Sequence, residues 1–162
     1  MSGADRHAKL VRLHATASFV AFIVLLTFWA GTVVAEFALD LDAIRLVKSG
    51  ILAGILVLVA ALITAGVSGL RLAPGARSGV LGAKIRRMRV IAANGVLCLV
   101  PCAVALWYLA QQGELGPTFY AVQAVELAAG AVNVTLIGLN IQAGRRLAAR
   151  AGRSNGVAES SV

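Results

Sequence analysis

The sequence predicts an all-α, polytopic membrane protein: a bundle of four transmembrane helices with both termini in the cytoplasm. Three observations support this fold class. Hydrophobic residues make up 59% of the chain and charged residues only 14%, against about 45–50% and about 25% in soluble domains. The apolar residues form four long blocks, and nearly all charges lie between those blocks. The basic residues are divided unequally between the two sets of connections, which orients the helices.

Each of the four apolar blocks is long enough to cross a bilayer, whose hydrocarbon core of about 30 Å needs roughly 20 helical residues. The blocks cover residues 15–37, 49–70, 90–110 and 119–142. Each of them lacks Lys and Arg. They predict one four-helix transmembrane domain over residues 1–150. The polar, Ser- and Gly-rich residues 151–162 predict a disordered cytoplasmic tail.

Short polar segments connect the blocks, and helix-breaking or charged residues mark each segment. In chain order these residues are Asp40, Asp42 and Arg45; Pro74, Gly75, Gly79 and Gly82; and Gly113, Gly116 and Pro117. The first block is too long for the apolar region of a signal peptide and lacks a good cleavage site. It therefore predicts an uncleaved signal anchor.

Thirteen of the fifteen Lys and Arg residues precede the first block, lie in the second connection or follow the last block. Only Arg45 and Lys48 fall in the first connection, and none falls in the third. Because cytoplasmic segments are enriched in Lys and Arg, the sequence predicts cytoplasmic termini. An Arg-, Ala- and Gly-rich composition is typical of a GC-rich bacterium, so the predicted location is the bacterial inner membrane.

Glu126 is the most informative polar residue, because it lies roughly 10 Å inside the fourth block at 1.5 Å per residue. Intramembrane acids face a bundle interior or a cavity, find partners and often mark function. Other polar or small residues share its helix face at spacings of three, four, seven and fourteen residues; they are Gln123, Gly130, Asn133 and Asn140. This polar stripe predicts contacts inside the bundle or with another subunit.

Three roles for Glu126 stay open: a protonated acid bonded inside the bundle, a docking contact with a partner subunit, and ion or proton coupling. Trp29 lies at a comparable depth in the first block, which suggests a Trp29–Glu126 hydrogen bond. Asn94 and Asn140 lie at similar inner depths, which suggests a bond between their helices. Membrane asparagines commonly join helices in this way.

Small residues and one proline indicate how the helices pack. Gly50 and Gly54 form a small-xxx-small pair in the second block, and Gly130 lies in the fourth. Such residues allow close helix contact within one bundle or between copies. Pro101 lies in the middle of the third block and predicts a kink there.

No residue set indicates catalysis, a metal site or a known cofactor, so the cofactor is unknown. His7 and His14 lie on one segment, which favours solvated or interfacial histidines over a haem site. Cys98 and Cys102 lack the setting of reactive thiols. The charge of +8 is explained by membrane topology, because no separate polar domain offers a nucleic-acid surface.

Two functional hypotheses follow from this pattern. The first is a non-catalytic accessory or assembly subunit of a larger membrane complex, with the fourth helix contacting the partner. The alternative is a small homo-oligomeric channel or transporter that uses Glu126. An enzyme acting on a lipid or quinone is a third, less supported hypothesis, because the sequence offers no nucleophile or metal set.

Overall fold

A computed structural model describes residues 3–38, 40–72 and 79–159, and these residues are almost entirely helical. The helices are α1 (Gly3–Ala38), α2 (Leu41–Leu72), α3 (Gly79–Asn94), α4 (Val100–Gln112) and α5 (Pro117–Glu159). A five-residue π turn, Gly95–Leu99, joins α3 to α4 so that the two form one continuous rod.

Four of the described segments are long and apolar enough to cross a membrane. They are Gly3–Phe37, Leu41–Leu72, Gly79–Gln112 and Pro117–Leu147. Each contains one of the four apolar blocks of the sequence, so the prediction of a multi-pass, all-helical protein is confirmed at this level. Large apolar side chains are exposed on every one of these segments, as expected for surfaces that face lipid.

The first connection is much shorter than predicted. α2 begins at Leu41, where the Asp40 carboxylate accepts a hydrogen bond from the Asp42 amide at 3.3 Å. An Asp before the first helical turn supplies an acceptor for otherwise unpaired amides. Arg45 and Lys48 therefore belong to α2, and the prediction that they lie in a connection was wrong.

The other predicted connections have different outcomes. Pro74, Gly75 and Arg77 lie outside the described residues. Gly79 begins α3 and Gly82 is buried within it, so the basic residues that follow lie on a helix rather than in a loop. In the third connection α4 ends at Gln112, Gly113 adopts a left-handed φ of 74° and Pro117 begins α5, as predicted. At the C-terminal end α5 continues through Glu159, where the composition predicted a disordered tail.

The irregularity predicted at Pro101 takes the form of the π turn. Pro101 is the second residue of α4, and the Val100 amide donates to the Gly95 carbonyl, five residues earlier. Proline has no amide proton, and its ring clashes with the carbonyl four residues before it. The wider turn relieves this conflict inside an otherwise continuous helix.

Two apolar clusters form the core, at two levels of the bundle. One contains Ala21, Leu25, Leu58, Ile91 and Ile137. The other contains Ala35, Ile44, Leu106, Ala110 and Phe119. Buried polar residues lie between these clusters on three helices, namely Thr32 on α1, Lys48 on α2, and Gln123, Glu126 and Asn133 on α5. They form a polar layer within the apolar core.

The helices do not enclose the core equally on all sides. α2 packs closely along α1 and contacts α4, but it makes few contacts with α3. α5 contacts α1, α3 and α4 and so forms the central wall of the bundle. The weak contact between α2 and α3 leaves an open groove on one side.

Candidate functional site

A buried ion pair lies between the two apolar clusters. Lys48 Nζ on α2 is 2.7 Å from Glu126 Oε2 on α5. Lys48 is only 2% exposed and Glu126 only 8% exposed. Lys48 Nζ also makes a long hydrogen bond of 3.5 Å to Thr32 Oγ1 on α1. The pair therefore connects three helices at one level; we call Thr32, Lys48, Gln123 and Glu126 the charged layer.

Helical periodicity explains why these side chains meet. On α2, Ile44, Lys48 and Ile51 are buried at spacings of four and three, so Lys48 lies on the same face as the core residues. On α5 the buried face contains the polar stripe predicted from the sequence, together with two apolar residues. The stripe consists of Gln123, Glu126, Gly130, Asn133 and Asn140, and the apolar residues are Phe119 and Ile137. The stripe faces the bundle interior, which confirms that part of the prediction.

Gln123 completes the charged layer. Its Nε2 donates to Glu126 Oε2 at 3.3 Å, one helical turn away. The side chain is 3% exposed, and its Oε1 has no hydrogen-bond partner. Glu36 on α1 is half-buried and lies close enough to interact electrostatically with both Lys48 and Glu126. The site thus holds three ionisable groups within one membrane-spanning bundle.

Trp29 bonds to a different acceptor from the one predicted. Its indole Nε1 donates to the Leu127 carbonyl at 3.0 Å, so the predicted Trp29–Glu126 hydrogen bond was wrong. The ring lies against Gly130, where an added Cβ would come within 3.0 Å of the indole. Gly130 thus allows α1 and α5 to approach closely, and the indole then reaches a backbone oxygen one turn away.

The asparagines also pair differently from the prediction. Asn94 Nδ2 donates to Asn133 Oδ1 and to the Ala129 carbonyl, both at 2.9 Å. Asn133 Nδ2 donates to the Ile91 carbonyl at 3.3 Å. These bonds join α3 to α5. The predicted Asn94–Asn140 bond was wrong, because the bonds place Asn94 at the level of Ala129 and Asn133.

A second polar group lies nearer the N-terminus of α1. His14 Nδ1 lies 2.9 Å from the Ala65 carbonyl, and Lys84 Nζ lies 3.2 Å from His14 Nε2. These contacts fit a neutral imidazole whose Nδ1–H donates while Nε2 accepts from the ammonium. Asn140 Nδ2 reaches the Lys84 carbonyl at 3.4 Å. Of the two predicted settings, solvated or interfacial, the partly buried and bonded His14 does not fit the solvated one, whereas His7 is exposed.

A cavity of about 430 Å³ lies between α2 and the α3–α4 rod. Its walls are almost wholly apolar, and Glu126, Thr32, Asn133 and Trp29 border it. Some wall residues are well exposed, such as Ile63 at 60% and Val96 at 66%. The cavity therefore opens on the outer surface of the bundle, and Glu126 lies at its inner wall. Its volume falls within the range of about 300–1,000 Å³ typical of ligand pockets.

Of the two small residues predicted to allow close helix packing on α2, Gly54 contacts a neighbouring helix of the same chain and Gly50 does not. An added Cβ on Gly54 would lie 2.5 Å from Phe28 Cζ, so α1 and α2 are in close contact there. Gly50 has no atom within 4 Å of that position.

Cys98 and Cys102 are free thiols. The described residues contain no cluster of three or more His, Cys, Asp or Glu side chains able to hold a metal ion.

Sequence reasoning found Glu126 and the stripe around it but missed Lys48 as the interior partner of Glu126, and it also missed the contact between His14 and Lys84. Lys48 was counted with a connection because a hydropathy plot ends the apolar block there. The signal that locates it is its spacing from Ile44 and Ile51 on one helix face. A Lys and a Glu held together inside a membrane bundle can exchange protons or bind an ion.

No protein-family model, curated protein or solved structure matches this chain.

Proposed function

We propose that this chain is a small multi-pass transport protein of the bacterial inner membrane, with the Lys48–Glu126 pair as its coupling centre. The observation that carries the proposal is the position of that pair. It is buried in the bundle, and Glu126 borders a cavity that opens on the outer surface of the bundle. Ionisable residues inside membranes are costly, and they commonly line substrate or proton pathways.

The proposal favours coupling over docking as the role of Glu126. A docking contact would need a carboxylate on the outer surface, whereas Glu126 is 8% exposed and bonded to Lys48 and Gln123. These bonds supply partners from the same chain. They also weaken the argument for an accessory subunit, which rested on a polar helix face without an internal partner.

The chemistry of the cavity indicates the substrate class. Its walls are apolar, Glu126 and Thr32 offer acceptor oxygens, and the Trp29 ring offers an aromatic surface. Lys48, by contrast, is not among the residues that border the cavity. A hydrophobic cation satisfies all three features, since it attracts a carboxylate and an aromatic face and tolerates apolar walls. On this proposal the cation displaces Lys48 from Glu126, and one proton leaves the site for each cation that enters, which keeps the buried charge constant.

Transport requires more than one copy in this proposal, because four helices are few for a complete solute pathway. The open side of the cavity lies between α2 and the α3–α4 rod, so a second copy placed there would close it. Closed symmetry of this kind is the commonest arrangement among soluble homo-oligomers.

The test is uptake of radiolabelled tetraphenylphosphonium into proteoliposomes with an acidic lumen. Valinomycin and equal potassium on both sides hold the membrane potential at zero, so only proton exchange can concentrate the cation. We expect accumulation with the wild-type protein and none with Glu126→Gln. Thr135→Val is the matched control, because the exposed Thr135 hydroxyl on α5 bonds only to the Ala131 carbonyl of its own helix in the described structure. Unchanged accumulation by Glu126→Gln would reject coupling at Glu126.

The proposed topology places both termini in the cytoplasm. It rests on the basic residues of α3 and of the segments that flank the first and last spans. Lys48 no longer counts against it, because it is buried in α2. We expect alkaline phosphatase to be active when inserted after Glu114 and inactive when fused to the C-terminus. Green fluorescent protein should show the reverse pattern; active phosphatase at the C-terminus would overturn the topology.

An accessory subunit remains the second candidate, because the open cavity would also receive an apolar helix of a partner protein. Affinity purification in a mild detergent distinguishes the two candidates. A stoichiometric foreign polypeptide that is lost when bulky residues fill the cavity, as in Gly66→Leu, would favour the accessory subunit. A homo-oligomer free of other polypeptides favours the transporter.

A further inference from the structure

A cleft of about 310 Å³ lies between α3 and α5, separate from the cavity described above. On α3, Ala83 and Arg87 border it, and on α5, Leu139, Gln142 and Arg146 border it. The α3 residues are four apart and the α5 residues are three, four and seven apart, so each set lies on one helix face. The two helices therefore present matching faces to the space between them.

Each wall of the cleft combines one basic side chain with apolar ones. Arg87 and Arg146 are its charged residues, and no acidic side chain borders it. The ion pairs Arg45–Asp42 and Lys48–Glu126 include neither cleft arginine, so neither arginine is paired with a described carboxylate. Two guanidinium groups on facing helices are thus left without a counter-charge from the described residues.

Leu139 is 39% exposed and Val80, at the α3 end of the cleft, is 44% exposed. The cleft is therefore open at the surface of the bundle, beside apolar side chains that suit hydrocarbon. More basic residues lie next to the cleft arginines on the same two helices, namely Arg86, Arg89 and Arg145. This is the end of the bundle that the charge distribution assigns to the cytoplasmic headgroup region.

We infer that this cleft binds the headgroup of an anionic phospholipid, with Arg87 and Arg146 holding its phosphate. Guanidinium groups bind phosphate oxygens in a bidentate manner and keep their charge at all relevant pH values. Basic pockets between transmembrane helices on the cytoplasmic side bind such headgroups. The apolar lining of the cleft selects a lipid over free phosphate, because it covers the glycerol and the first acyl carbons. The inference is independent of the transport proposal.

The test measures binding of cardiolipin, phosphatidylglycerol and phosphatidylcholine to the delipidated protein by native mass spectrometry. The cleft variant is Arg87→Gln/Arg146→Gln. The matched control is Arg86→Gln/Arg145→Gln, which removes the same charge from exposed neighbours that do not border the cleft. We expect the wild-type protein and the control to prefer the anionic lipids, and the cleft variant to bind them about tenfold more weakly.

Three outcomes would overturn the inference. Equal losses in both variants would indicate general surface attraction rather than a site. Equal binding of phosphatidylcholine would show that the phosphate charge is not recognised. Competition by millimolar inorganic phosphate would indicate a site for free anions instead of lipid. Circular dichroism of each variant checks that the helices remain folded. Thermal stabilisation by cardiolipin is an independent measurement, and it supports the cleft if the control variant keeps it and the cleft variant loses it.

Discussion

Lys48→Met is expected to lower the free energy of unfolding by about 3–5 kcal/mol, because it leaves the Glu126 carboxylate buried without its charged partner. Lys48 Nζ lies 2.7 Å from Glu126 Oε2, and both side chains are almost fully buried. Methionine preserves most of the length and volume of lysine, so the loss of charge dominates the effect. Unfolding by sodium dodecyl sulfate in mixed micelles, followed by circular dichroism, measures it.

The double variant Lys48→Met/Glu126→Leu distinguishes the cost of leaving one buried charge unpaired from the cost of removing both charges. Replacing both members of a buried ion pair with apolar residues of similar size is often neutral or stabilising. We therefore expect the double variant to recover most of the stability lost by Lys48→Met. Arg86→Met is the control for removal of a positive charge at an exposed site and should change stability by about 0.5 kcal/mol or less. A double variant no more stable than the single one would contradict this account of the pair.

Gly54→Ala is expected to destabilise the bundle by about 1–3 kcal/mol, because the new Cβ would lie 2.5 Å from Phe28 Cζ and 2.9 Å from Cε1. The ring of Phe28 borders the cavity, so it would have to move into that space. Such a shift separates α1 from α2 or narrows the cavity. The same unfolding assay measures the loss of stability.

Gly50→Ala is the matched control for this substitution. Gly50 lies one turn earlier on α2, and an added Cβ there meets no atom within 4 Å. Alanine also favours helix over glycine by about 1 kcal/mol. We therefore expect Gly50→Ala to be neutral or stabilising. Equal destabilisation by both variants would mean that the two glycines serve a contact between copies of the chain rather than the Phe28 contact.

The sequence predicted the helical architecture well because hydropathy alone sets it. A span needs about 20 apolar residues whatever its neighbours are, so the four blocks could be located without tertiary information. The buried stripe of α5 was equally accessible, since Gln123, Glu126 and Asn133 recur at helical spacing. Pro101 marked the irregular turn of the third span for the same local reason.

The partners of these residues were harder to predict. Lys48 follows closely after Asp42 and Arg45, so a window average of hydropathy is low there and assigns the segment to a connection. Trp29 bonds to the Leu127 carbonyl, and every residue has a carbonyl, so no sequence signal marks that acceptor. Similar depth along the two spans predicted a hydrogen bond between Asn94 and Asn140. In the structure Asn94 instead bonds to Asn133, because the register of α3 against α5, just before the π turn, places those two side chains at the same level.

Tetraphenylphosphonium uptake by Lys48→Met/Glu126→Leu is the measurement that tests the central claim most directly. The account predicts that this variant folds and inserts into liposomes but fails to accumulate the cation when an outward proton gradient is applied, while Thr135→Val accumulates it normally. A folded variant that accumulates the cation as the wild-type protein does would contradict the account. It would show that the Lys48–Glu126 pair holds the helices together and takes no part in coupling.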